Sequence, residues 1–118
     1  MQLLTDRGLN YYKKLADSVK RYIHEHYAEN IGLESVASEL AFHPNYISRI
    51  FKEEFEVNFI DYLTEYRITE AKELLRGDIK HNVNEIAGMV GYSNAKYFSK
   101  VFKKMVGVTP AEYIEKNR

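Results

Sequence analysis

The 118-residue chain has no cysteine and no tryptophan, and it holds only two prolines. Without cysteine, disulfide staples, thiolate metal sites and thiol nucleophiles are excluded together, so packing must hold the fold. No apolar run approaches the ~18 residues of a membrane span, and no basic-then-apolar segment opens the chain. Neither a spanning helix nor a secretory signal is therefore expected, and the cytoplasm is the default location. Paired catalytic carboxylates, a nucleophile elbow and a glycine-rich phosphate loop are also missing, which leaves an enzyme little to work with. His24 and His26 stand two apart, so a helix points them about 200° away from each other and they cannot share a metal. His43 and His81 are isolated. No metal and no cofactor is expected.

Excess charge of either sign is absent as well: 17 Lys and Arg balance 17 Asp and Glu. The balance conceals an asymmetry. Residues 1–78 hold 10 basic against 14 acidic side chains, whereas residues 79–118 hold 7 against 3. The positive field belongs to the C-terminal third.

What is present is helical periodicity in a chain 45% apolar and 29% charged, too apolar for a disordered tail. Leu15, Val19, Ile23 and Tyr27 line one face of a first helix, which Asn30 and Gly32 break. No strand-like alternation occurs. Further helices are predicted at 33–40, 44–55, 59–76, 83–90, 95–105 and 110–115, about seven in all. Pro44 and Pro110 both fall where a helix can begin, since a first-turn residue has no use for its N–H. Asn82 with Glu85, and Thr109 with Glu112, are spaced as capping boxes, and Asn58 with Asp61 is a weaker version.

Sliding the chain against itself by about 50 residues exposes an internal duplication. Val36, Ala37, Leu40 and Phe42 fall on Ile86, Ala87, Val90 and Tyr92. After a one-residue slip, Ile47-Ser48-Arg49-Ile50-Phe51-Lys52 falls on Phe98-Ser99-Lys100-Val101-Phe102-Lys103, and Val57 and Tyr62 meet Val108 and Tyr113. Each copy reads as a short helix with a small inward alanine, a tight turn, and a second helix with an apolar stripe, which is helix-turn-helix grammar. Ala37 and Ala87 would let the second helix cross closely, with Ile47 and Phe51, or Phe98 and Phe102, plugging the core. The expected fold is all-α, with two helix-turn-helix subdomains joined by a long central helix.

At this point the sequence resembles the AraC/XylS family of transcription regulators. The resemblance is carried by Glu85-Ile86-Ala87, Val90-Gly91-Tyr92, Tyr97-Phe98-Ser99-Lys100, Phe102-Lys103-Lys104, Gly107-Val108-Thr109-Pro110 and Tyr113, together with Tyr66-Arg67-Ile68, Ala71 and Leu74-Leu75. Three positions depart from the family pattern. Glu56 stands where a glycine is usual, so the first copy is expected to end differently. His43 replaces a frequent serine, implying a weaker helix cap. Ile114 stands where arginine is common.

The resemblance implies a DNA-binding domain that reads two successive major-groove segments. Base edges are reached from the first turns of the second helix, on the face away from the core. By subtraction, Asn45, Ser48 and Arg49 face outward in the first copy and Lys96, Ser99 and Lys100 in the second. Arg49 is the strongest candidate, because a guanidinium takes guanine O6 and N7 together, worth roughly 1–3 kcal/mol of discrimination. Lys52, Lys103 and Lys104, and the helix start at Asn82, are expected to meet phosphates. Arg67 is expected either to contact phosphate or to pair with a carboxylate such as Glu65, Glu70 or Asp61. A middle helix of about 27 Å suits two readers offset by one DNA turn of about 34 Å.

The predicted organisation is a leader or linker over 1–10, a first subdomain over 11–57, a connecting helix over 58–77 and a second subdomain over 78–118. Partners are double-stranded DNA and either RNA polymerase or an upstream sensor or receiver domain, since the lead-in at Tyr11–Asn30 is similar to the joint of a response regulator. The alternative is a helical protein-interaction module without DNA binding, which the acidic first copy permits. DNA affinity that falls steeply with salt separates the two.

Overall fold

Chain breakers and caps set the element boundaries. The computed structural model describes residues 2–77 and 81–117, with side chains from Asn10 onward. It contains α1 (Gln2–His26), α2 (Leu33–Leu40), α3 (Pro44–Phe55), α4 (Phe59–Arg76), α5 (Val83–Met89), α6 (Ala95–Val106) and α7 (Pro110–Lys116). Among the described residues there is no strand and no helix long and apolar enough to cross a membrane.

Both full capping boxes form. Asn82 Oδ1 accepts the Glu85 N–H at 2.8 Å while Glu85 accepts the Asn82 N–H, and Thr109 and Glu112 do the same with both distances at 3.1 Å. Asn58 Oδ1 accepts from the Asp61 N–H, opening α4. Residues 2–10, read from the sequence as a leader, are the first turns of α1. Once residues 11–26 are helical, extension costs less than nucleation did.

The described chain forms two compact units, and they do not divide at a single point along the sequence. The first holds residues up to His26 together with Ile31–Leu63; the second holds Tyr27–Asn30 and Thr64 onward. The partition thus falls inside α4 rather than at the 57/58 boundary drawn from the sequence. The other drawn boundary, 77/78, touches residues 78–80, which lie outside the described residues.

In the first unit Leu15, Ala16, Val19, Ile23, Val36, Ala37, Ile47, Ile50, Phe51, Phe59 and Leu63 are buried. The Phe51 ring meets Phe55, Phe59 and Tyr62 edge-on, and the Lys20 ammonium sits 4.6 Å from the Phe55 centroid. The second unit is built around Ile68, Ala71, Leu75, Ile86, Ala87, Val90, Tyr92, Phe98 and Phe102. Ala37 and Ala87 are each 1% exposed, facing inward as the periodicity suggested. Burying such sets supplies most of the folding free energy, at about 25 cal/mol per Å² of apolar surface.

The duplication extends to the backbone. The N–H of Phe42 bonds the Ala37 carbonyl, and that of Tyr92 bonds the Ala87 carbonyl, closing the two turns alike. Four described residues have left-handed backbone, two per unit at matching positions: Ala41 (φ 62°) with Gly91 (φ 101°), and Glu56 (φ 59°) with Gly107 (φ 97°). The first unit therefore does not end differently. Glu56 adopts the glycine-like cap, its N–H bonding the Lys52 carbonyl at 2.9 Å just as Gly107 bonds Lys103 at 2.8 Å. A side chain in that region costs about 1–2 kcal/mol, which the surrounding turn has to overcome.

Arg67 departs from expectation too. Its Nε donates to the Tyr27 carbonyl at 2.8 Å and its Nη2 to the Glu29 carbonyl at 2.9 Å, with the guanidinium 5.3 Å from the Tyr92 ring centroid. Instead of a carboxylate, it takes main-chain oxygens just past the end of α1. Burial lowers its pKa and raises that of the Tyr92 hydroxyl, and their mutual attraction opposes both shifts. Tyr27, placed by periodicity on the face of the first helix, lies past the last residue of α1 and packs against the second unit's core.

Candidate nucleic-acid interface

Two helix starts carry the predicted readers, and each is capped by a side chain. At α3, His43 has extended backbone and its Nδ1 accepts the Asn45 N–H at 3.1 Å. An imidazole here performs the acceptor role usual for serine, so the cap is present although its chemistry differs. At α6, Asn94 Oδ1 accepts the Tyr97 N–H at 3.0 Å. Asn94 was not singled out from the sequence, although an asparagine directly before a predicted helix start is the standard signal.

In α3, Ile47, Ile50 and Phe51 are buried, which turns Asn45, Arg49 and Lys52 to solvent and leaves Ser48 half-buried. In α6, Phe98 and Phe102 are buried and Val101 is partly so; Lys96, Lys100, Lys103 and Lys104 are exposed and Ser99 is half-buried. Outward faces therefore collect Asn45, Arg49 and Lys52 on one helix and four lysines on the other. The two serines lie at the margins of these faces.

The faces differ electrostatically. On α3, the Arg49 guanidinium lies 5.3 Å from the Tyr46 ring centroid, and its Nη1 is 3.5 Å from Glu53 Oε1. Tyr46 in turn stacks on Phe42, with centroids 5.5 Å apart and planes inclined by 25°. The Arg49–Glu53 pair is more than half exposed at both ends, so its contribution to stability is only about 0.3–0.5 kcal/mol. The α6 sequence contains no acidic residue at all. Tyr97, at the position matching Tyr46, is 58% exposed with its ring centroid 6.0 Å from that of Tyr92.

Asn82, expected at a phosphate, is engaged in its capping box, with its carbonyl oxygen and its N–H both bonded to Glu85. His81 Nδ1 approaches the same carboxylate at 3.4 Å. The side-chain NH2 of Asn82 is the group that the box does not use. Among the described residues, no cluster of His, Asp or Glu could hold a metal ion.

The model of a helix-turn-helix domain matches residues 36–116. The transcriptional regulator YtdP of Bacillus subtilis is 35% identical over 107 residues, covering 91% of this chain and 14% of that protein. The arabinose operon regulatory protein of Escherichia coli is 31% identical over 94 residues, covering 79% of this chain and 32% of its own length. Among solved structures, the C-terminal domain of AraT, a response regulator from Geobacillus stearothermophilus, superposes with a TM-score of 0.83 at 39% identity, covering 86% of this chain and 84% of that one. The chain spans about a seventh to a third of the length of these curated relatives. With two capped helix-turn-helix units, matching turns and this similarity, the chain belongs to the AraC-type helix-turn-helix family.

Proposed function

We propose that the chain is the sequence-specific DNA-binding part of a cytoplasmic transcription regulator, with α3 and α6 as its recognition helices in successive major-groove segments. The observation that carries this reading is the pair of exposed faces at two capped helix starts, each backed by buried aromatic residues that fix its orientation. Arg49 serves as a bidentate guanine reader and Asn45 as an adenine reader, whereas Lys96 and Lys100 act as point donors to bases, with Ser48 and Ser99 beside them. Lys52, Lys103 and Lys104 meet phosphate oxygens, and the Asn82 amide offers a further donor.

The similarity to the C-terminal part of a response regulator supports an upstream receiver or sensor domain as the partner that controls the full-length protein. RNA polymerase is the proposed downstream partner. Selection from random duplexes, repeated with Arg49→Ala and Lys100→Ala, tests the assignment. Two half-sites one turn apart are expected, each variant losing preference in a different half. An unchanged preference at every position in Arg49→Ala would remove it as a base reader. Affinity that does not respond to salt would favour the protein-interaction alternative.

A further inference from the structure

The same scaffold position carries opposite charge in the two units. Along α3, Tyr46, Arg49 and Glu53 follow one another at spacings of three and four residues, forming one stripe on the outward face. The register that matches Ile47 to Phe98 puts Tyr97, Lys100 and Lys104 at the corresponding places. The aromatic residue and the cation are retained. The third member changes from carboxylate to ammonium.

Helix stability gives little reason for a carboxylate at position 53. Glu53 lies in the last turn of α3, next to the negative end of the helix dipole, where cations are favoured. The order cation then acid at i, i+4 is the weaker arrangement, and the pair is exposed to screening. In the matching turn of α6 the side chains are Lys103 and Lys104, as the dipole prefers. What Glu53 does is give Arg49 a second contact beside the Tyr46 ring, so the guanidinium is restrained by a ring face and an anion together. Such restraint reduces the rotamer freedom lost on binding. It also places a negative charge beside the guanidinium, which a lone phosphate must approach.

We propose that Glu53 is a specificity-determining residue of the first recognition helix: it positions Arg49 and yields it to a guanine edge, whose two acceptors replace the paired contact, but not to a single phosphate oxygen. The inference rests on the reading of Arg49 as a base contact. The two helices then divide the work. The lysine-rich α6 supplies salt-sensitive attraction, and α3 supplies discrimination at low electrostatic cost to wrong sites.

The test is a double-mutant cycle, Glu53→Gln against Arg49→Ala, in the full chain. It is read by fluorescence anisotropy on a selected duplex, on that duplex with the Arg49-dependent guanine replaced, and on an unrelated duplex, over a sodium chloride series. Glu53→Gln should tighten the unrelated duplex about two- to fivefold, the worth of one exposed charge contact, while the preference for guanine falls by a similar factor. In the Arg49→Ala background the same substitution should leave the preference unchanged. Glu53→Lys should move both quantities further in the same direction and steepen the salt dependence by about one phosphate contact. Thermal melts check that the variants remain folded. Equal tightening on all three duplexes, or a change in preference that survives Arg49→Ala, overturns the proposal while leaving DNA binding intact. Failure of the unsubstituted chain to bind any duplex would instead remove the reading on which it stands.

Discussion

Replacing Gly91 with alanine should destabilise the second unit more than the same change at Gly107, although the two backbones are nearly alike. Gly91 has φ 101° and Gly107 φ 97°, so both substitutions put a Cβ into a region that costs about 1–2 kcal/mol. Reduced freedom of the unfolded chain returns about 0.5–1 kcal/mol in each case. Their surroundings differ. A Cβ at Gly107 meets nothing within 4 Å, whereas one at Gly91 falls 2.6 Å from the Tyr27 carbonyl oxygen and 2.8 Å from Arg67 Nε. Those two atoms are themselves hydrogen-bonded at 2.8 Å, so room can be made only by displacing a main-chain carbonyl or a half-buried guanidinium. Leaving such a group unsatisfied costs a further ~1–3 kcal/mol. Gly107→Ala should therefore cost about 1 kcal/mol and Gly91→Ala about 2–4 kcal/mol, a large share of a typical domain stability of about 5–15 kcal/mol. Urea unfolding followed by helical circular dichroism, with the slope compared between variants, measures both. If the two losses agree within about 0.5 kcal/mol, the collision with the Tyr27 carbonyl is not a real constraint.

Glu56→Gly should stabilise the first unit by about 0.5–1 kcal/mol, because relief of the φ 59° cap exceeds the extra entropy of the unfolded chain; a loss of stability in the same urea assay would contradict this. Glu112 should make stability acid-sensitive. The Thr109 N–H donated to its carboxylate holds it below the usual range, so its folded pKa is depressed and the unfolded carboxyl titrates near pH 4.3, roughly. That stabilisation is complete above the unfolded value and is lost as pH falls through the folded one. Wild type and Glu112→Gln, compared by chemical unfolding across acid pH, should converge; a gap that persists in strong acid would rule out the carboxylate as its source.

Much of the fold was legible because its boundaries are written in local chemistry. Pro44, Asn82, Thr109 and Pro110 act within a few residues of themselves, and the helices they open were placed correctly. The exposed faces of α3 and α6 followed from the same periodicity, since locating the buried stripe defines its opposite. Contacts with the main chain were not legible. Arg67 binds the carbonyls of Tyr27 and Glu29, about 40 residues earlier, and every residue type offers a carbonyl, so no side chain there announces the partner. The backbone of Glu56 was hidden for a related reason: residue type reports a preference for φ, and here the tertiary turn overrides it. Residues 1–10 read as a leader, whereas residues 2–10 belong to α1, an established helix extending at less cost than a new one starts. The ladder of Tyr46, Arg49 and Glu53 could have been found from spacing alone.

The division of the chain bears on how such regulators can be recombined. Tyr27–Asn30 precede the first helix-turn-helix in sequence but belong with the second, secured there by Arg67. No single crossover can exchange one helix-turn-helix unit between relatives and leave the other whole. A chimera that joins a foreign front half to residues 64–117 replaces the four-residue strap and presents the guanidinium with carbonyls from another protein. Grafts that carry the strap along with its arginine, using a second junction at each side of residues 27–30, should inherit specificity without inheriting the mismatch.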